Sequence, residues 1–403
     1  MGLPAHVGDS RSIGPMPVPT VARRAERIPP FEVMDVVRAA RDRAGHPAPG
    51  PVCHLEVGQP STPAPATVRD AARAALDGPL GYTDSLGLPE LRGRIARWYQ
   101  ERHGSAVDTE RIAVTTGASA GCVLAFLACF DPGDRVAVCE PGYPCYRHIL
   151  EVLGVEVVAL PIDAGVRYQP TPGALDALGP LDGVVVASPA NPTGGVLRHD
   201  ELDALTDWCV RTGTRLVADE IYHGITEGRP APTAVGRPGV VVVQSCSKYF
   251  CMTGWCIGWL VLPEDLVRPV ERLSQNLYLA PPTLSQHAAV AAFDATAELD
   301  GHVERYRANR HRLVDGLRDA GITGIAPAEG AFYVWADVGH LGDSGALCRR
   351  WLDELAVAAT PGTDFDPQRG HRFVRFSVAG SVGEVAAATD RLSAWLARNG
   401  PGA

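Results

Sequence analysis

Apolar residues recur along this chain in two rhythms. Between residues 112 and 262, short runs rich in valine, isoleucine and leucine alternate with longer segments of helical periodicity. The runs Ile112–Thr115, Arg135–Cys139, Val155–Leu160, Gly183–Ala187, Arg215–Ala218, Val240–Gln244 and Ile257–Leu262 are strand-length and apolar enough for burial on both faces. Strands alternating with helices predict an α/β fold whose mainly parallel, seven-stranded sheet is covered on both sides. Beyond about Ala280 the rhythm changes. A long helical region through Asn309–Leu317, a strand at Ala331–Ala336, a further helix and a strand at Arg372–Ser377 predict a smaller α+β unit. Near the start, a helix over Phe31–Arg43 and a strand over Val52–Val57 lead into Gly58-Gln59-Pro60. Met1–Pro30 lacks apolar periodicity and reads as a tail, or as an arm lying on a partner. The expected division is a tail at 1–30, the N-terminal part of a small domain at 31–60, a large domain at 61–285, and the rest of the small domain at 286–403.

Composition narrows the ligand class. With 46% hydrophobic and 21% charged residues the chain matches folded proteins rather than disordered ones. Its longest apolar stretches, around Cys122–Phe130 and Trp255–Leu262, are about half a membrane span, so no membrane partner is expected. A net charge of −9 argues against a nucleic-acid footprint and favours small-molecule ligands. Ten irregularly spaced cysteines without a secretory signal suggest reduced thiols in the cytoplasm. One count stands apart. Among 37 basic side chains there is a single lysine, Lys248. Arginine stays charged at any relevant pH, whereas a lysine amine can lose its proton, attack a carbonyl and form a Schiff base.

Open parallel sheets bind ligands at the carboxyl ends of their strands. Five predicted strands end in residues with chemistry. They run into Thr116-Gly117-Ala118-Ser119, Glu140-Pro141-Gly142-Tyr143, Ser188-Pro189-Ala190-Asn191-Pro192-Thr193-Gly194, Asp219-Glu220-Ile221-Tyr222 and Ser245-Cys246-Ser247-Lys248. Singly, each has an ordinary explanation: a helix cap, a packed ring, a turn-forming asparagine. Together they offer an amine, a buried carboxylate, an aromatic face and a phosphate cradle, the set that pyridoxal phosphate needs. A metal site at Asp219, Glu220 and His223 is not expected, because neighbouring residues on a strand point to opposite faces. Ser245-x-x-Lys248 formally fits a serine/lysine hydrolase, but the companion Lys-Thr-Gly cannot exist in a chain with one lysine. Cys122, Cys129 and Cys209 lie in apolar helical context and read as core.

From about Phe31 to the last helix, the sequence resembles the class I and II pyridoxal-phosphate-dependent aminotransferases of the fold type I superfamily. The resemblance rests on Ser245-Cys246-Ser247-Lys248 followed by Met252-Thr253-Gly254-Trp255 and Ile257-Gly258-Trp259, on Ala218-Asp219-Glu220-Ile221-Tyr222, and on Phe373-Val374-Arg375-Phe376-Ser377. It implies that Lys248 forms the Schiff base, that Asp219 pairs with the pyridine nitrogen, and that Tyr222 and Asn191 bond the ring hydroxyl. It places Tyr143 on the ring face, and Gly117, Ala118, Ser119 and Ser245 at the phosphate. Tyr82, in Gly81-Tyr82-Thr83, would reach the phosphate of a neighbouring subunit, which implies a homodimer. Arg375 would grip the substrate carboxylate in a two-pronged contact beside Gly58 and Asn191. One position departs from the pattern: where the family usually has a phosphate-binding arginine, this chain has Cys256. The implied activity is amino-group transfer between an L-amino acid and a 2-oxo acid. The segment Gln275–Ser285, which often supplies a second cation in dicarboxylate-preferring relatives, contains none, so a neutral or aromatic amino acid is favoured. Lyases, decarboxylases and oxidases of the same fold are the alternative; a non-catalytic ligand sensor is a remote one.

Overall fold

The computed structural model describes residues 21–43 and 50–399. Residues 21–30, set apart from the body of the chain that starts at Phe31, hold one short helix, Arg23–Arg27, with no buried residue. The remainder of the segment read as a tail, 1–20, lies outside the described residues.

The body of the chain opens with helix Glu32–Arg43 and a two-residue strand, β1 (Cys53–His54). Seven strands then follow: β2 (Ile112–Thr115), β3 (Arg135–Glu140), β4 (Glu156–Pro161), β5 (Gly183–Ala187), β6 (Arg215–Asp219), β7 (Val241–Ser245) and β8 (Gly258–Val261). They assemble into one sheet in the order β2-β8-β7-β6-β5-β3-β4. β3 to β7 run parallel, and β8 runs antiparallel to both β7 and β2. The central strands are valine-rich and buried along their length, as expected of a sheet covered on both faces. Helices Gly117–Cys129 and His199–Thr212 are among those that cover it, and each follows its strand closely enough to carry the chain back for the next parallel strand.

Beyond the sheet come β9 (Tyr333–Asp337), β10 (Val357–Ala358), β11 (Thr360–Pro361) and β12 (Phe373–Ser377). β11, β12 and β9 make an antiparallel three-stranded sheet, while β10 pairs in parallel with β1. The long helix Thr296–Asp319 packs against the C-terminal helix Val382–Asn399. The strand expected over Val52–Val57 is cut short for a clear reason. After His54 the Glu56 carbonyl accepts hydrogen bonds from side chains, Thr360 Oγ1 at 2.8 Å and Arg375 Nη2 at 2.5 Å, instead of from a neighbouring strand. β10 and β11 are too short to leave a periodic trace in sequence.

Candidate active site

The carboxyl ends of β2, β3, β5, β6 and β7 lie along one edge of the sheet, fixed by register: Ala187 is opposite Asp219, and Gly258 is opposite both Thr115 and Ser245. At Thr115 the chain turns directly into helix Gly117–Cys129, with Gly117 at φ +78°. Among the described residues no side chain caps this helix, so its first amides, on Gly117, Ala118 and Ser119, which line the cavity, are free to donate to a ligand. β8 passes close beneath. A Cβ on Gly258 would sit 2.9 Å from the amide nitrogen of Ala118, so only glycine lets the strand and the amide cradle approach this closely. Ser245 borders the cradle, its hydroxyl accepting from the Ser247 amide at 3.0 Å and donating to the Ile257 carbonyl at 3.2 Å. Cys256 stands exposed at its rim in a left-handed conformation.

Asp219 closes β6 and is 2% exposed. Burial pushes its carboxyl up to about 6. Two neutral donors oppose that rise: the Tyr146 hydroxyl, in a short bond to Oδ2, and the Ile221 amide, 3.0 Å from Oδ1. Glu220 takes the opposite face, where it accepts from Thr233 Oγ1 at 2.8 Å and from the Ala234 amide at 2.6 Å. The strand's alternation thus aims one carboxylate into the cavity and the next away from it.

Lys248 follows β7, and its Nζ donates to the Gly58 carbonyl at 3.0 Å. Burial lowers its amine to about 8, the nearby Arg375 charge adds to that fall, and Asp219 opposes it. Gly58 is fixed as glycine by Tyr333, since a Cβ there would lie 1.6 Å from the tyrosine hydroxyl oxygen. That same hydroxyl pairs with the Tyr222 hydroxyl at 2.8 Å. Arg375, in the middle of β12, is sandwiched between the Tyr333 and Phe365 rings, 4.5 and 4.6 Å from their centroids. Its Nη1 donates to Asn191 Oδ1 at 3.0 Å, whereas Nε is buried without a hydrogen-bond partner among the described residues. A planar cation held rigidly with a donor to spare is suited to a carboxylate.

Every site residue expected from sequence except Tyr82 lines one cavity of about 380 Å³. Tyr82 is 85% exposed and is not part of that lining. Several lining residues escaped the sequence reading. Tyr146 had a faint signal, lying three residues after Tyr143 with the two rings edge to face at 5.3 Å. Tyr333 had none, because its strand reaches the site only through the tertiary fold. Phe31, Val33 and Met34 form an apolar wall from the start of helix Glu32–Arg43. Cys122, read as core, is buried there and also borders the cavity, because its helix packs on the sheet just behind the cradle.

Residues 51–392 match the family model described as aminotransferase class I and II. The chain is 50% identical over 384 residues to a valine–pyruvate aminotransferase of Mycobacterium tuberculosis, covering 93% of this chain and 98% of the relative. It is 34% identical to an aspartate/prephenate aminotransferase of Thermus thermophilus, over 85% of this chain and 91% of the relative. A crystal structure of an aminotransferase from M. tuberculosis superposes with a TM-score of 0.91 at 50% identity, covering 94% of this chain and all of that one. Pyridoxal phosphate is the cofactor of this family. A match that spans almost the whole chain carries the reaction with it: this protein belongs to the class I and II aminotransferases, which move an amino group between an amino acid and a 2-oxo acid.

Proposed function

We propose that this chain is a pyridoxal-phosphate-dependent aminotransferase whose amino donor is a neutral, apolar or aromatic L-amino acid. The observation that carries the reading is the convergence of Lys248, Asp219 and Arg375 on a single cavity with an apolar wall. The residues present fit the cofactor. An uncapped helix start and Ser245 supply neutral donors for its phosphate, with Gly117, Ala118 and Ser119 as the contacts. Tyr143 offers a ring face, Asn191 and Tyr222 hold polar groups for the ring hydroxyl, and Asp219 awaits a protonated ring nitrogen that would relieve the cost of its burial. Bound there, the cofactor supplies an electron sink for the α-carbon of the substrate.

The chain's own groups do the rest. Lys248, with its amine lowered to about 8, is both the attachment point and a base that can take a proton from the substrate α-carbon and return it. Tyr146 and the Ile221 amide hold the Asp219 carboxylate in one orientation and favour its ionised form. Arg375 and the neighbouring Gly58 backbone orient the substrate carboxylate, which fixes where the α-carbon lies. Lys248 and Arg375 are the only cationic side chains lining the cavity among the described residues, so an acidic substrate side chain finds no second partner. The activity for which the valine–pyruvate relative is named agrees with an apolar donor.

A homodimer belongs to the same reading. Leu80 and Tyr82 are exposed, as are Leu277, Tyr278 and Leu279, and the two segments are tied together by Thr283 Oγ1 donating to the Gly81 carbonyl at 2.7 Å. A second copy would cover this apolar surface and let Tyr82 reach the partner's phosphate site. The division into a large domain at 61–285 and a small one built from 31–60 and 286–403 is supported by the pairing of β1 with β10. Ten unpaired thiols favour the cytoplasm. An absorbance spectrum of the purified protein, followed by half-reactions with a panel of amino acids, tests the assignment. The expected result is conversion of the bound cofactor to its amine form with release of a 2-oxo acid from apolar donors. Ammonia or carbon dioxide as the product would overturn it.

A further inference from the structure

One short turn reaches both sides of the substrate cavity. β11 runs into Gly362–Asp364, where Asp364 is 8% exposed. Its carboxylate accepts the first amides of helix Glu32–Arg43, Oδ1 from Glu32 and Oδ2 from Val33, each at 3.1 Å. Thr363 Oγ1 answers by donating to Glu32 Oε2 at 2.6 Å. This helix cap is contributed by chain more than 300 residues away, so the helix start is positioned by the small sheet rather than by its own sequence. Phe31, Val33 and Met34, the residues around that cap, line the cavity, and the Phe31 ring meets Tyr143 edge to face at 6.2 Å. The residue after Asp364, Phe365, lies against the Arg375 guanidinium. Two consecutive residues therefore hold the apolar wall on one side and the carboxylate-binding cation on the other.

We propose that Asp364 is a specificity-positioning residue: by capping helix Glu32–Arg43 it sets the distance between the wall of Phe31, Val33 and Met34 and the Arg375 guanidinium, and so selects amino acids with apolar side chains longer than a methyl group. This rests on the aminotransferase reading of the cavity given above. An acidic group near a helix start is favoured by the exposed amides, and losing such a cap loosens the first turn. Only substrates that touch the wall feel that loss. Alanine, whose methyl group is too short to need the wall, serves as the internal control.

The test compares wild type, Asp364→Ala and Asp364→Asn as holoenzymes with alanine, valine and leucine. In Asp364→Ala, KM for valine and leucine is expected to rise about five- to tenfold, the equivalent of a lost cap, with kcat nearly unchanged and KM for alanine within about twofold. Asp364→Asn, which keeps one acceptor oxygen, should fall between. Cofactor affinity, read by absorbance titration, should not change. Equal rises for alanine and leucine, or no rise for either, would overturn the proposal. Should Asp364→Ala fail to fold, a double-mutant cycle of Asp364→Asn with Met34→Ala decides: coupled effects on leucine KM support it, and additive ones refute it. Wild-type protein that binds the cofactor but transaminates none of the three amino acids would instead refute the underlying substrate reading, and this proposal with it.

Discussion

Asp219 is where function and stability are set against each other, and Asp219→Asn measures the exchange. The carboxyl is raised from 3.8 to about 6 because burial penalises its charge. A folded-state value above the unfolded one means stability that is present at low pH and is lost as pH rises through about 6. Two units correspond to about 3 kcal/mol, an order-of-magnitude figure for the cost of ionised Asp219 in the cofactor-free protein near pH 8. At pH 5 the linkage relation leaves about half of that. Asparagine does not titrate, and the Tyr146 hydroxyl, able to accept as well as donate, can face its amide nitrogen. Cofactor-free Asp219→Asn should therefore gain stability over wild type, and the gain should be larger at pH 8 than at pH 5, by an amount on the order of 1 kcal/mol. The assay is denaturant unfolding of both proteins across that range, taking the difference so that titrating groups not coupled to Asp219 cancel. In the same variant cofactor affinity should weaken by at least about tenfold, because the charge that matches the ring nitrogen is gone. A stability difference that stays flat from pH 5 to 8, or that reverses sign, refutes the reasoning.

Tyr146→Phe removes a donor that favours ionised Asp219, so the acid limb of cofactor binding should move up by about one pH unit in an absorbance titration; an unmoved limb counts against the assignment. Cys256→Arg places a cation at the rim of the amide cradle and should tighten cofactor binding several-fold, checked by the dissociation constant. The Lys248 amine, lowered to about 8, implies that borohydride-trappable attachment of cofactor to the apoprotein accelerates with pH around a midpoint near 8, and that Lys248→Ala abolishes both attachment and turnover. Arg375→Gln should raise KM for every amino acid by roughly 100-fold, alanine included, while leaving the cofactor spectrum intact.

What the sequence determined by itself was local chemistry and its rhythm. Seven apolar runs, most of them spaced by helices, are enough to predict a mainly parallel sheet, because such runs are stable when buried on both faces. Residues at the ends of those runs, Ser119, Asn191, Asp219 and Lys248 among them, were legible as one site, since a parallel sheet brings all such ends to the same edge. The tertiary structure decided everything that depends on distant segments meeting. Tyr333 clamps Gly58 and Tyr222, Asp364 caps a helix more than 300 residues upstream, and Phe31, Val33 and Met34 line the cavity beside that cap. Periodicity records which face of an element is apolar but not which partner covers it. Substrate selection in this protein therefore rests largely on contacts that the fold supplies.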